Sequence, residues 1–163
     1  MPATTQRDGL STIRLIFAMF IASMVLIGVV LFAILSSAQP KDAGAVPWLV
    51  AAAGVASVVT VQWSRRRPLD TSSAAKLAAT YRTYWFMGLA FAQTAGTFGF
   101  VGAFVVNRWW IFAEGFVFSA VGWISIAPTD AALGRKDDEL AAAGVPYSLR
   151  QSLRDTVPPA ASR

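Results

Sequence analysis

Four long apolar stretches, separated by charge clusters or by proline, divide the chain. Residues 15–35 form a run of 21 residues without a charge; at about 1.5 Å of rise per residue they cover the roughly 30 Å hydrocarbon core of a bilayer. The second stretch, 46–62, is rich in Ala and Val and opens on Pro47 and Trp48, where a helix start tolerates proline and a membrane interface favours tryptophan. The third covers 84–106, and its helix is predicted to begin earlier, capped by Ser72 or Ser73, with Lys76 and Arg82 at headgroup level. The fourth, 109–127, opens on Trp109 and Trp110 and is ended by Pro128. This pattern predicts an all-α polytopic membrane protein with four transmembrane helices arranged as two hairpins. Residues 1–14 are then an N-terminal tail, 15–127 the membrane domain, and 128–163 a tail with short amphipathic helices.

In that second tail, Thr129 is placed to cap a helix starting at Asp130 and reaching Ala143, and Gly144 with Pro146 supplies a stop. Ser148 opens a further segment in which Leu149, Leu153 and Val157 share one face while Arg150 and Arg154 point elsewhere. Two readings stand: the segment lies on the membrane interface or docks on a partner, or the spacing is accidental. Asp137, Asp138 and Glu139 read as a solvated face, and residues 158–163 as disordered.

The distribution of Lys and Arg sets an orientation. Two fall in the N-terminal tail (Arg7, Arg14), one in the first connection (Lys41), five in the second (Arg65, Arg66, Arg67, Lys76, Arg82), one in the third (Arg108) and five in the C-terminal tail. The positive-inside rule then puts both termini and the central connection in the cytoplasm. The run Arg65, Arg66, Arg67 beside a span reads as a stop-transfer signal and a contact for anionic phospholipid, rather than for nucleic acid. Arg7 and Arg14, the apolar run and Ser36-Ser37-Ala38 imitate a secretory signal, but the run exceeds the roughly 7–15 residues of a signal core, so an uncleaved anchor is expected.

Composition supports this class and narrows the chemistry. Hydrophobic residues make up 55% of the chain and charged ones only 14%, against the usual quarter or so for soluble domains. The chain has 0 Cys and 0 His, which removes disulfides, thiol nucleophiles, histidine-ligated metals and His-based triads. No catalytic constellation can be assembled from the remaining polar residues, so no enzyme activity, cofactor or metal is expected.

Polar or very small residues within the spans are the informative positions. Glu114 is the one acidic residue inside a span, about 6–8 Å below the Trp109 and Trp110 belt. It reads either as an ion or partner contact, or as a group hydrated or hydrogen-bonded at the outer interface. Gln93 lies near the bilayer midplane, where a neutral amide can join helices. Around it Gly88, Ala92, Gly96, Gly99 and Gly102 recur at spacings of three and four, a geometry that lets a second backbone approach closely. The neighbour is either a partner protein's helix or a helix of this chain, such as the Ala51, Ala52, Gly54, Ala56 face.

The run from Gly88 to Phe100, Gly-Leu-Ala-Phe-Ala-Gln-Thr-Ala-Gly-Thr-Phe-Gly-Phe, resembles the second helix of the proteolipid c subunit of rotary ATP synthases. The two hairpins and the Ala127-Pro128-Thr129 exit likewise resemble small bacterial four-span proteins related to such proteolipids. At position 93 a Gln stands where the family carries its proton-binding Glu. The resemblance therefore implies a packing template without the protonation cycle.

The expectation is a non-catalytic accessory or scaffold subunit of a larger bacterial inner-membrane complex. The Ala-rich, Arg-containing composition resembles that of high-GC bacteria such as actinobacteria, where small four-span accessories accompany respiratory assemblies, cell-envelope enzymes and lipid importers; lipid or cell-envelope transport is the favoured setting. Two alternatives stay open: a small homo-oligomeric ion channel or transporter, and a subunit associated with a respiratory complex or ATP synthase. In the accessory reading the Gly strip and Gln93 seat a partner helix, and the C-terminal tail adds a second contact.

Overall fold

A computed structural model describes residues 9–155. Its six helices are α1 (Gly9–Leu35), α2 (Val46–Arg65), α3 (Ala74–Val106), α4 (Trp109–Ile126), α5 (Asp130–Ala142) and α6 (Leu149–Asp155). No strand occurs among the described residues. The helices α1 to α4 are each long and apolar enough to cross a membrane, so the protein is an all-α, multi-pass membrane protein. The predicted caps are in place: the Lys76 amide donates to Ser73 Oγ at 3.2 Å and the Ala132 amide to Thr129 Oγ1 at 3.2 Å. Helix α1 begins at Gly9, inside the predicted N-terminal tail, because Leu10 and Ile13 are buried and their packing holds the extra turn.

The chain divides into two compact units. The larger comprises residues 20–67 and 84–126. Within its spans α3 and α4 are 44% and 39% buried, against 11% and 22% for α1 and α2, so α3 and α4 form the centre of the bundle. Burial recurs at helical spacing, for example Met24, Leu31 and Leu35 on α1 and Val50, Gly54, Ser57, Val61 and Ser64 on α2. Trp85 Nε1 donates to the Ile126 carbonyl at 3.0 Å, pairing an indole with one of the carbonyls that a helix end leaves free. At the opposite end, Asn107 takes a left-handed φ of 52° and makes the tight turn from α3 to α4. That turn is tied to the α1–α2 connection: Asn107 Nδ2 donates to the Gln39 carbonyl, Arg108 Nε to the Lys41 carbonyl, and the Lys41 amide to the Val106 carbonyl.

The smaller unit takes its described residues from 9–19, 68–83 and 127–155. Leu10, Ile13, Leu77, Leu133, Leu149 and Leu153 are its large buried side chains. A β-carbon on Gly9 would collide with the Arg82 guanidinium and the Leu153 carbonyl oxygen, so α1 starts directly against α3 and α6. Arg14 binds the entry to α5 through the Pro128 carbonyl at 3.2 Å and Asp130 Oδ1 at 2.7 Å. The hydrogen bond and charge of Arg14 hold the Asp130 carboxyl below the usual carboxylate range, with Arg150 and Arg154 adding to the effect.

Two expectations for the tail are corrected here. Leu149 and Leu153 are fully buried, so the apolar face of α6 is consumed within the chain and is not offered to a bilayer or partner; Val157, the third residue of that face, lies outside the described residues, as do residues 158–163. Asp137 is not simply a solvated carboxylate: its Oδ1 accepts the Leu149 amide at 2.6 Å and its Oδ2 the Ser148 hydroxyl at 3.1 Å. It thereby satisfies the start of α6 from α5.

Candidate functional site

The glycine strip of α3 faces the protein's own fourth helix. A β-carbon on Gly99 would lie 2.9 Å from the Ile111 carbonyl oxygen and 3.0 Å from the Gly115 Cα. One on Gly122 of α4 would lie 2.7 Å from the Ala92 Cβ. The Gly96 amide donates to Ser119 Oγ at 2.8 Å, an interhelical bond in the middle of the pair. At the ends of the strip, Gly88 approaches Ile126 and Ser64, and Gly102 approaches Ile111, Val46 and Val50. The site that seats a helix is therefore already filled by α4, with α1 and α2 at its margins. The Ala51–Ala56 face is not the main neighbour; there Gly54 instead receives the Phe118 ring of α4. Close approach of small residues is what allows this backbone-to-backbone packing in lipid.

Gln93 stands apart from that interface. It lies seven and eleven residues before Phe100 and Phe104, on the face of α3 that borders α1 rather than α4. Its Oε1 is enclosed and has no hydrogen-bond partner. Phe100 and Phe104 themselves line a groove of about 310 Å³ with Leu26, Val30 and Ile34 of α1. On the other side of α1, a groove of about 450 Å³ runs between Gly28, Val29 and Phe32 and the α4 residues Trp109, Phe112 and Phe116. Both are lined almost wholly by apolar atoms. The Phe32 and Trp109 rings meet edge-on at 5.5 Å.

Two further polar atoms in α4 are enclosed without partners, Glu114 Oε2 and Trp123 Nε1. Glu114 sits one turn before Phe118 on the α2 side, away from Gln93. Trp123 is 3% exposed and stacks edge-on with Phe116 at 5.6 Å. Of the α4 aromatic residues Phe112 and Trp123 are buried, whereas Trp109 and Trp110 of α4 and Phe86, Phe91, Phe98 and Phe104 of α3 remain exposed.

Arg65, Arg66 and Arg67 lie together at the C-terminal end of α2, and none pairs with an acidic side chain among the described residues. The Arg67 guanidinium carbon lies 3.9 Å from the centroid of the Trp63 ring and 6.0 Å from that of Tyr84. Arg65 Nη1 donates to Gln62 Oε1 at 3.2 Å, and Gln62 Nε2 donates to Ser125 Oγ of α4 at 3.0 Å. Gln62, Trp63, Tyr84 and Ser125 escape a reading of the sequence alone, although a polar residue one turn before an arginine run is the signal that would point to Gln62. Among the described residues no group of three or more acidic side chains converges as a metal site would require. No protein-family model, curated protein or solved structure matches the chain.

Proposed function

We propose that the protein is a non-catalytic accessory or scaffold subunit of a larger membrane complex in the bacterial inner membrane, with both termini cytoplasmic and with lipid or cell-envelope transport as its setting. The observation that carries this reading is Gln93. An amide oxygen enclosed without a partner in an apolar span is unfavourable by about 1–3 kcal/mol on mutational scales; the Gln93 side chain is only half-buried, so its amide can turn outward to a polar group on a neighbouring helix, which would relieve it. The apolar groove that Phe100 and Phe104 line with α1, seven and eleven residues along α3 from Gln93, gives such a helix a seat. The partner's seat is thus the α1–α3 side of the bundle, and the glycine strip serves the protein's own assembly. Anionic phospholipid is the second proposed partner, at Arg65, Arg66 and Arg67.

The test is affinity purification of tagged protein from native membranes in mild detergent. A stoichiometric larger subunit should be recovered with the wild type and lost with Gln93→Leu; recovery of a small homomer alone defeats the reading. Glu114 favours a second reading, a homo-oligomeric pore, because a carboxylate oxygen enclosed without a partner in α4 suits an ion path. On that reading the reconstituted protein alone passes ions, and Glu114→Gln changes the flux.

A further inference from the structure

We propose that the end of α2 is a built site for the phosphate of an anionic phospholipid headgroup, held by Arg65 and Arg66 and oriented through Gln62 and Ser125. This deepens the lipid partner proposed above and rests on that reading.

Three arginines in succession beside a span would attract anionic lipid by charge alone. What distinguishes this end is that two of the three side chains are held by neighbours, each differently. The Arg67 guanidinium lies over the Trp63 ring, and Trp63 is itself 54% exposed, the behaviour of an indole at headgroup level. The contact keeps the charge in place and covers one face of the guanidinium. Arg65 is held from the other direction: Ser125 Oγ donates to the Val121 carbonyl at 2.9 Å, accepts from Gln62 Nε2, and Gln62 Oε1 accepts from Arg65 Nη1. This hydrogen-bonded chain crosses from α4 to α2 and uses one of the five N–H donors of Arg65, leaving the rest for a ligand. Arg66 is exposed beside it.

The helix end itself opposes an anion. The α2 C-terminus carries about half a negative charge, and the amides of Arg66 and Arg67 offset it only in part by bonding the Trp63 and Ser64 carbonyls. Three full positive charges with no acidic partner among the described residues outweigh that half charge, so the field at this end is positive. A planar guanidinium, restrained on one side, matches phosphate by a pair of parallel hydrogen bonds. The occupant is a lipid phosphate rather than a soluble one because Trp63 and the apolar flank of α2 place the arginines where phospholipid phosphates lie.

The experiment is native mass spectrometry of the full chain released from nanodiscs of equal phosphatidylglycerol and phosphatidylcholine content, scoring the lipid retained. The wild type should retain phosphatidylglycerol preferentially, and Arg65→Gln or Arg66→Gln should each reduce that preference about fivefold. Gln62→Leu, which leaves every charge in place, should reduce it severalfold, and so should Arg65→Lys, a change at an exposed position that keeps the charge and loses the fork. If Gln62→Leu and Arg65→Lys behave as wild type while the charge-removing variants fall, the attraction is diffuse: the site is overturned and the lipid partner stands. If the wild type shows no preference, both fail. Displacement of the lipid by millimolar inorganic phosphate would overturn the lipid assignment in favour of a soluble anion. Recovery of a larger subunit is a separate readout and is unaffected by any of these results.

Discussion

Gly99 of α3 and Gly115 of α4 meet backbone to backbone: a β-carbon on Gly115 would lie 2.9 Å from the Gly99 Cα and 3.1 Å from its amide nitrogen, and would collide with the Ala95 carbonyl oxygen. None of those atoms can turn aside. Gly115→Ala is therefore expected to lower stability by about 1–3 kcal/mol, the usual range for overpacking. At Gly28 the added carbon would lie 2.7 Å from Phe112 Cε1, the edge of a ring that borders a groove and can rotate. Alanine's advantage over glycine in a helix, up to about 1 kcal/mol, offsets that smaller strain, so Gly28→Ala should be near neutral. Thermal unfolding of the two variants in the same detergent checks the contrast; equal stability would remove the α3–α4 contact as the bundle's centre.

The two glycines also mark the limit of what the sequence conveys. Spans, caps and helix ends are legible because they depend on local terms: 21 uncharged residues from Leu15 to Leu35, a serine before Ala74, a threonine before Asp130. Which helix fills the strip around Gly99 is not local. Small residues occur at similar spacing on α2 and α4, and only the register of the tight Asn107 turn selects Gly115 and Gly122. Asp137 is illegible for the same reason. It lies eleven residues from Ser148, and its reach depends on the reversal at Gly144, whose φ is +74°. Gln93, by contrast, is conspicuous in the sequence as a lone amide among apolar and small residues, but its position outside the α3–α4 contact emerges only from the packing.

Loss of the Asp137 carboxylate should release α6. Hydrogen bonds to a charged group contribute about 1.5–3 kcal/mol, and Asp137 makes two, to the Leu149 amide and the Ser148 hydroxyl. Asp137→Ala is expected to expose the Arg150 and Arg154 peptide bonds to trypsin at least about tenfold faster than in the wild type, without shifting the unfolding of the membrane helices. Unchanged cleavage would mean that the burial of Leu149 and Leu153, with the bonds of Arg150 to the Asp130 carbonyl and of Arg82 to the Leu153 carbonyl, holds α6 without Asp137.

The Arg14–Asp130 pair gives the smaller unit an acid-sensitive joint. The Asp130 carboxyl titrates below its ordinary value because Arg14 hydrogen-bonds and faces it; in the unfolded chain the same group takes up its proton near the usual pH of about 3.9. The pairing therefore stabilises the fold above that pH and is lost as the pH falls through the lower, folded value. Both side chains are largely exposed, at 41% and 65%, so the effect is small and weakened by salt. The sequence has no cysteine, which allows a single spin label at Ala131→Cys. Its motion should increase only as the pH falls through the folded value, below the ordinary carboxylate pKa of about 3.9, in the wild type and be pH-independent in Arg14→Gln.

Gln93 and Glu114 separate the two functional readings most directly, because each is a polar residue with an enclosed, unpartnered oxygen and they lie on different sides of the bundle. Gln93→Leu removes a polar atom that has no partner within the chain. The isolated protein should consequently lose no stability, and by the balance for an unsatisfied amide should gain up to about 1–3 kcal/mol. If a partner helix supplies the missing hydrogen bond, the same substitution weakens the complex, so stability and association move in opposite directions. A residue required only for folding moves them together. Glu114→Gln keeps the side chain's shape and removes its charge; it should leave co-purification unchanged if the protein is an accessory subunit. Ion flux through reconstituted protein that Glu114→Gln alters and Gln93→Leu does not would reverse the assignment.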